Sequence, residues 1–329
     1  MSTRIDSYAL SDVGLQRDNN EDAYEAVQEA ALYIVADGMG GHASGHVASQ
    51  MAVKSIREYV TVRAQTPDHA FTFPVPGRYG PPERLLSNAI QWANERLFIE
   101  SMKEREYEGM GTTVVCAMDF KNVMVMGHVG DSRIYRYRHG KFEQITRDHS
   151  LLNHYIDQGK ITSKEEIDSF ANGNVIVRAL GLKDYVDPEI TVIGKEPDDY
   201  YLLCTDGLTD LVDDWIIANV LDGNGEHLEQ ACDALVRLAN EAGGKDNCTV
   251  MILHVVADLS SSSAPETDDL DEPSEPTPTS VKAMDDADIS DSDPAVALDE
   301  TESSAEDEEP WEQDEVTPIN IPAMESEDL

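Results

Sequence analysis

Over residues 1–258 short apolar runs interleave with stretches of helical spacing, and over the last 71 residues neither pattern survives. Leu32–Ala36, Thr112–Met118, Val123–Val129, Tyr200–Cys204 and Thr249–Val256 are runs rich in Val, Ile, Leu and Tyr and predict strands. The turn Asp119–Asn122 joins the second run to the third and predicts a hairpin, hence antiparallel pairing. Helices are expected at about 45–62, 83–104, 209–221 and 227–242. The last carries Leu228, Ala231, Leu235, Leu238 and Ala239 on one face. Between the first two helices, Thr66–Pro82 holds five prolines and two glycines and reads as an irregular insert. Strands grouped in hairpins and helices grouped in pairs predict an α/β (α+β) fold. Its expected form is a four-layer α-β-β-α sandwich, two central antiparallel sheets flanked by helices.

Composition divides the chain at about residue 259. The segment 259–329 opens on a serine run, is punctuated by proline, and carries 24 Asp/Glu against one Lys. It cannot bury enough apolar area to offset ordering entropy, so the expectation is a disordered acidic tail after a catalytic domain at 1–258. Trp311, Ile319, Ile321 and Met324 are either stray apolar residues in that tail or a short docking motif.

The formal net charge is −41, and residues 1–258 carry 41 acidic and 23 basic groups of that total. Such a surface repels nucleic acid and anionic membranes, so neither is an expected partner. No stretch approaches the ~20 apolar residues of a membrane helix. Met1–Asp12 is polar and lacks a signal pattern. Cys116, Cys204, Cys232 and Cys248 have no paired short spacing, which reads as buried reduced thiols and, with the rest, predicts a soluble cytoplasmic monomer.

The chemistry lies in where the acids fall. Asp37 ends the run 32–36 and precedes Gly38-Met39-Gly40-Gly41; Asp206 ends Tyr201–Thr205 and precedes Gly207. Asp131 follows Gly130, and Asp246 sits in Gly243-Gly244-Lys245-Asp246-Asn247 just before the last strand. One Asp-Gly after a strand is usually a turn. Four so placed, together with Asn20-Glu21-Asp22, would crowd carboxylates unfavourably unless a cation sat among them. Glycine lets a backbone carbonyl approach as a further oxygen ligand, and such donors suit Mg²⁺ or Mn²⁺.

These motifs, in order over residues 7–256, resemble the metal-dependent protein phosphatases of type 2C, the PPM family. The resemblance is carried by Asp12–Leu15 with Arg17 and Asn20–Asp22; by Val35–Gly41; by Gly111–Thr113; and by Gly130–Arg133. It continues through Thr146–Ser150, Asn174, Arg178–Gly181, Thr205–Leu208 and Gly244–Asn247, and the methionine at 39 is similar to the bacterial branch. The resemblance implies a protein serine/threonine phosphatase using two Mn²⁺ or Mg²⁺ ions, with a weaker third. Asp37 would bridge both metals, with the Gly38 carbonyl and Glu21 on the second. Asp206 and Asp246 would complete the first, Asp22 would hold metal-bound waters, and Asp131 with Asp206 would form the third site. Arg17 matches the arginine that grips the substrate phosphate, and its planar fork suits that contact. Asn247 matches a position next to the metal ligands.

A water bridging two divalent cations becomes hydroxide near neutral pH and attacks phosphorus directly, so Cys204 and Ser132 are not needed as nucleophiles. Where many eukaryotic relatives have a histidine as general acid, this chain has Met39. His42 and a metal-bound water are both candidates for that proton, against His42 as an ordinary loop residue. His128 reads as a core histidine and His149 as structural support before a helix. Residues 151–173 match the family's mobile flap beside the active site, against two surface helices without a role in recognition. Phosphorylated proteins, a bacterial serine/threonine kinase that the enzyme opposes, and a docking partner for the tail are the partners expected. A phosphopeptide-binding pseudophosphatase would need a lost ligand, and Asp37, Asp206, Asp246 and the Glu21-Asp22 pair are all present.

Overall fold

A strand with apolar residues on both faces needs cover on both, and the five apolar runs all find it. In the computed structural model, which describes residues 3–40, 44–65, 71–171, 173, 175–224 and 227–258, they become the inner strands of two stacked sheets. The chain enters through β1 (Thr3–Asp12), β2 (Asp22–Val27) and β3 (Leu32–Met39), then makes helices α1 (Ser44–Gln65) and α2 (Pro81–Lys103). β4 (Gly111–Thr112), β5 (Val114–Phe120), β6 (Val123–Val129), β7 (Arg133–Arg138) and β8 (Lys141–Gln144) follow. Two short helices, α3 (Leu151–Asp157) and α4 (Lys164–Ser169), occupy the span expected to be the flap. The chain closes with β9 (Glu189–Gly194), β10 (Tyr200–Cys204), α5 (Asp206–Thr209), α6 (Asp214–Asn224), α7 (Leu228–Glu241) and β11 (Cys248–Ala257).

One sheet has the order β1-β11-β10-β7-β8, the other β2-β3-β5-β6-β9 with β4 against β3, and every pairing is antiparallel. Side chains of alternate residues serve different layers. Leu32, Ile34 and Ala36 pack with α1 and α2, while Tyr33 and Val35 face the other sheet. Leu202 and Cys204, Val250 and Ile252 pack with the carboxy-terminal helices, while Tyr201, Leu203, Met251 and Leu253 fill the space between the sheets. Three apolar layers thus separate four layers of structure, as expected. The hairpin forms as predicted, Phe120 pairing with Val123 and Lys121 taking φ +58. All four cysteines are free and buried, and burial pushes Cys204 and Cys232 up to about 12, so they pack rather than react. No described helix is long and apolar enough to cross a membrane.

The differences from expectation have local causes. The helix predicted over 209–221 begins later, at Asp214, as α6, with the Asp213 carbonyl accepting the Ile216 and Ile217 N–H groups, and the separate short α5 ends at Thr209. β1, β2, β7, β8 and β9 escape hydropathy because they alternate polar and apolar residues or lie at sheet edges. In β7, Tyr135 and Tyr137 face the helices and Ile134 the other sheet, while Arg136 and Arg138 pair with Glu143 and Asp199. The segment 259–329 lies outside the described residues. Leu203 is fully buried between the sheets. Leu203→Ala is expected to lower unfolding free energy by about 2–5 kcal/mol, read from the shift of a urea unfolding midpoint at unchanged slope.

Candidate metal centre

Antiparallel register decides which residues meet. Asp22 at the start of β2 pairs with Asp37 near the end of β3, and Asp12 at the end of β1 pairs with Cys248 at the start of β11. β10 runs into Thr205 and Asp206, and β6 into Gly130 and Asp131. Asp22, Asp37, Asp131, Asp206 and Asp246 therefore converge at one end of the sandwich, close enough that neighbouring carboxylates help raise the pKa of Asp22, Asp37, Asp131 and Asp206.

The protein spends hydrogen bonds on only part of this charge. The Thr205 and Thr249 hydroxyls donate to Asp22 Oδ2 at 3.0 and 2.7 Å, and Asp22 Oδ1 has no partner. Asp131 Oδ1 and Asp206 Oδ1 are likewise buried and unpartnered. An orphaned buried carboxylate oxygen is costly. Burial, reinforced by neighbouring carboxylates, pushes Asp22 up to about 7, Asp131 to about 8 and Asp206 to about 6. Asp37 is raised well above the usual carboxylate range by burial and by Asp22, Asp206 and Asp131, and Glu21 is raised by burial.

Glycines open the space beside Glu21 and Asp37. A Cβ on Gly38 would lie 2.0 Å from the Gly45 carbonyl oxygen, and one on Gly45 would lie 2.7 Å from Glu21 Oε2 and 2.8 Å from the Gly38 carbonyl oxygen. The bare Cα of Gly45 thus lets the Glu21 carboxylate and the Gly38 carbonyl lie together. Gly45 carries no signal in the sequence, since glycine in the first turn of a helix has no periodic mark. The donors are all hard oxygens, and the partnerless atoms among them fit a hard divalent cation.

A single amide braces the loop before β2. Asn247 Oδ1 accepts the Glu21 N–H at 2.8 Å, and Nδ2 donates to the Val13 and Asn19 carbonyls, both at 2.9 Å. Leu15 and Gln16 N–H groups also donate to the Gly244 carbonyl. Arg17, carried by this loop and half exposed, donates from Nη2 to Asp246 Oδ2 at 2.7 Å. Burial opposes its charge, but Asp246, Asp37 and Glu21 outweigh that and hold its pKa up. The structure therefore brings together Arg17, Glu21, Asp22, Asp37, Gly38, Asp131, Asp206, Asp246 and Asn247. His42 and Asn174 lie outside the described residues.

Two further groups join the site. Asp210, four residues after Asp206, lines with Asp131 and Asp206 a cavity of about 580 Å³ that Leu152, Asn153 and Gly173 of the expected flap also border. The i, i+4 spacing was the available signal, but it becomes legible only once Asp206 is known to start a helix. His46, in the first turn of α1, donates from Nδ1 to the Asn20 carbonyl at 3.2 Å and favours the charged form of Glu21.

Residues 16–246 match the family model described as Protein phosphatase 2C. The chain belongs to the protein phosphatase 2C family. Its enzyme class is protein-serine/threonine phosphatase, a hydrolase. Among its relatives is the serine/threonine phosphatase stp of Listeria welshimeri serovar 6b, 34% identical over 248 residues, covering 74% of this chain and 93% of that protein. The crystal structure of the Mycobacterium tuberculosis serine/threonine phosphatase PstP/Ppp is 35% identical with a TM-score of 0.65, covering 77% of this phosphatase and 99% of that chain. A PstP catalytic domain solved in complex with two manganese ions is 32% identical with a TM-score of 0.64, covering 78% and 100%.

The raised carboxylates set the pH dependence. In the absence of metal, folded Asp22, Asp131 and Asp206 keep protons that the unfolded chain releases near its ordinary pKa of about 3.9. Stability of the metal-free phosphatase is therefore expected to fall as pH rises from about 4 through 8. Thermal unfolding in EDTA should give a Tm that drops across that window, with Mn²⁺ removing most of the drop. A Tm in EDTA that climbs steadily to pH 8 would contradict the clustering.

Proposed function

We propose that this phosphatase hydrolyses phosphoserine and phosphothreonine in proteins by direct attack of a water bridging two Mn²⁺ or Mg²⁺ ions, held by Glu21, Asp22, Asp37, Gly38, Asp206 and Asp246. The observation that carries the reading is the convergence of carboxylates with three buried oxygens left without a partner. Bound divalent cations supply Lewis acidity and lower the pKa of that water to near neutrality. The chain's own residues do the rest. Asp37 and Gly38 present a carboxylate and a carbonyl from the end of one strand. Thr205 and Thr249 hold one oxygen of Asp22 and leave the other for the centre. Asp131, Asp206 and Asp210 surround the cavity where a weaker third cation would sit. Arg17 offers the Nη atoms not engaged by Asp246 to the equatorial oxygens of the phosphoryl group, where charge must be offset. Asn247 holds the Arg17 loop in register with Glu21. The proton for the leaving hydroxyl comes from His42 or from a metal-bound water.

The partners follow from this activity. A serine/threonine kinase supplies the phosphoproteins that the enzyme resets. The phosphatase works in the cytoplasm as a monomer, and residues 259–329 form an acidic arm that docks a partner and takes no part in catalysis. The net acidity over 1–258 disfavours nucleic acid as a partner.

Hydrolysis of p-nitrophenyl phosphate should require Mn²⁺ and cease in EDTA. Asp206→Asn with Asp246→Asn should lower kcat by at least about 100-fold; activity near wild type in that double variant would sink the metal assignment. A chain ending at Asp258 should fold and keep full activity on the same substrate. Insoluble or inactive protein on that truncation would refute the boundary.

A further inference from the structure

Outside the centre, His128, His149 and Glu189 are the described side chains whose ligand atoms lie close enough together to share a metal ion. Their hydrogen bonds argue against one. His128 Nε2 donates to the Arg147 carbonyl at 2.9 Å, and His149 Nδ1 accepts the Gly130 N–H at 3.1 Å. The remaining nitrogen of His149, Nε2, has the Arg178 guanidinium 3.1 Å away, a cation where a metal would have to sit. With Nδ1 of His149 accepting the Gly130 N–H, the neutral ring carries its proton on Nε2, which therefore does not accept from Arg178 and has the Glu189 carboxylate 3.7 Å away. The ring of His149 stacks on His128 with centroids 4.5 Å apart, which fixes its plane.

The two residues Gly130 and His149 are bonded twice. The His149 N–H donates to the Gly130 carbonyl at 2.9 Å, and the side chain accepts the Gly130 N–H in return. Gly130 stands at φ +109, and a Cβ there would lie 2.6 Å from the Thr113 Cβ, so the turn is held between Thr113 below and His149 above. The next residue is Asp131, whose Oδ1 is buried without a partner. On its other side, the His149 carbonyl accepts the Val177 N–H at 2.9 Å.

We infer that His149 is a positioning residue for Asp131: its Nδ1 fixes the Gly130–Asp131 turn and thereby aims the Asp131 carboxylate at the third cation. The inference rests on the reading of Asp131 as a ligand to that cation. It goes beyond a supporting role, because it names one acceptor atom, at one position on the ring, as the part that matters. It also ties the segment that returns from the flap, through Val177, to the same turn.

Asparagine and glutamine separate the atom from the bulk. Asn places an amide oxygen at the δ position that Nδ1 occupies; Gln places it one bond further out. In full-length enzyme, His149→Gln should raise the Mn²⁺ concentration for half-maximal hydrolysis of p-nitrophenyl phosphate by about 10-fold or more, with KM for the phosphate ester little changed. His149→Asn should stay within about 3-fold of wild type, since it retains the acceptor. Asp131→Ala combined with His149→Gln should be no worse than Asp131→Ala alone, because both changes act through one carboxylate.

Equal Mn²⁺ response in the Asn and Gln variants, or additive losses in the double variant, would overturn the assignment. Wild-type Mn²⁺ dependence in Asp131→Ala would overturn it by removing the third-cation reading, which the loss of activity in Asp206→Asn, Asp246→Asn would leave standing for the other two ions. If neither His149 variant folds, amide exchange at Gly130 in the wild-type enzyme decides. Strong protection is expected, and exchange as fast as in an open loop refutes the bond.

Discussion

Mutual repulsion among buried carboxylates at one end of the sandwich is the constraint to which the rest of this phosphatase answers. Burial raises the pKa of Asp22, Asp37, Asp131 and Asp206, and the charge of neighbouring carboxylates adds to the effect. A fold optimised for stability alone would hydrogen-bond every oxygen or remove the charges. This one satisfies Asp22 on a single oxygen and leaves Oδ1 of Asp22, Asp131 and Asp206 without a partner. The cost must be met by what surrounds the site and by the cations it is shaped to hold.

What surrounds it is densely hydrogen-bonded. The Asp37 carbonyl accepts from both the Thr113 N–H and the Thr112 hydroxyl, and the Asp37 N–H donates to Thr113 Oγ1. Thr113 Oγ1 in turn bonds Ser132 Oγ at 2.7 Å, one residue after Asp131. Arg133 chelates Asp148 through Nε and Nη2, with Gln144 on the same carboxylate, which anchors the 146–150 segment that carries His149. Thr146 Oγ1 accepts the Ile134 N–H, and Ser150 caps α3. Thr146, Asp148 and His149 of this motif thus each bond to the segment 130–134 beside the centre, which makes its collinear spacing intelligible.

Charge has two uses in this chain. A few acids at strand ends make the centre, where their number is tolerable because oxygen donors and cations answer one another. The 24 acids of 259–329 fall within one continuous segment whose sequence has no apolar period. Only the first population is tied to chemistry by geometry.

Patterning along the chain determined a good deal. Runs rich in Val, Ile, Leu and Tyr predicted strands, and these became the inner ones, because a strand covered on both faces has little polar side to show. Amphipathic spacing predicted α7, and four aspartates beside or near glycine predicted a hard-cation site. Pattern failed where a strand was half polar, as in Arg133–Arg138, since that outcome depends on partners distant in sequence. Register alone set Asp22 opposite Asp37 and Asp12 opposite Cys248, and a slip of one residue would turn each to the wrong face. Tertiary structure likewise decided that Gly45 must be bare, that Asp210 shares a cavity with Asp131 and Asp206, and that Asn247 spends all of one amide on a single loop. These are relations between atoms separated by tens to hundreds of residues. A local period carries no record of them, because close approach and unmet hydrogen bonds come into being only when the sheets stack.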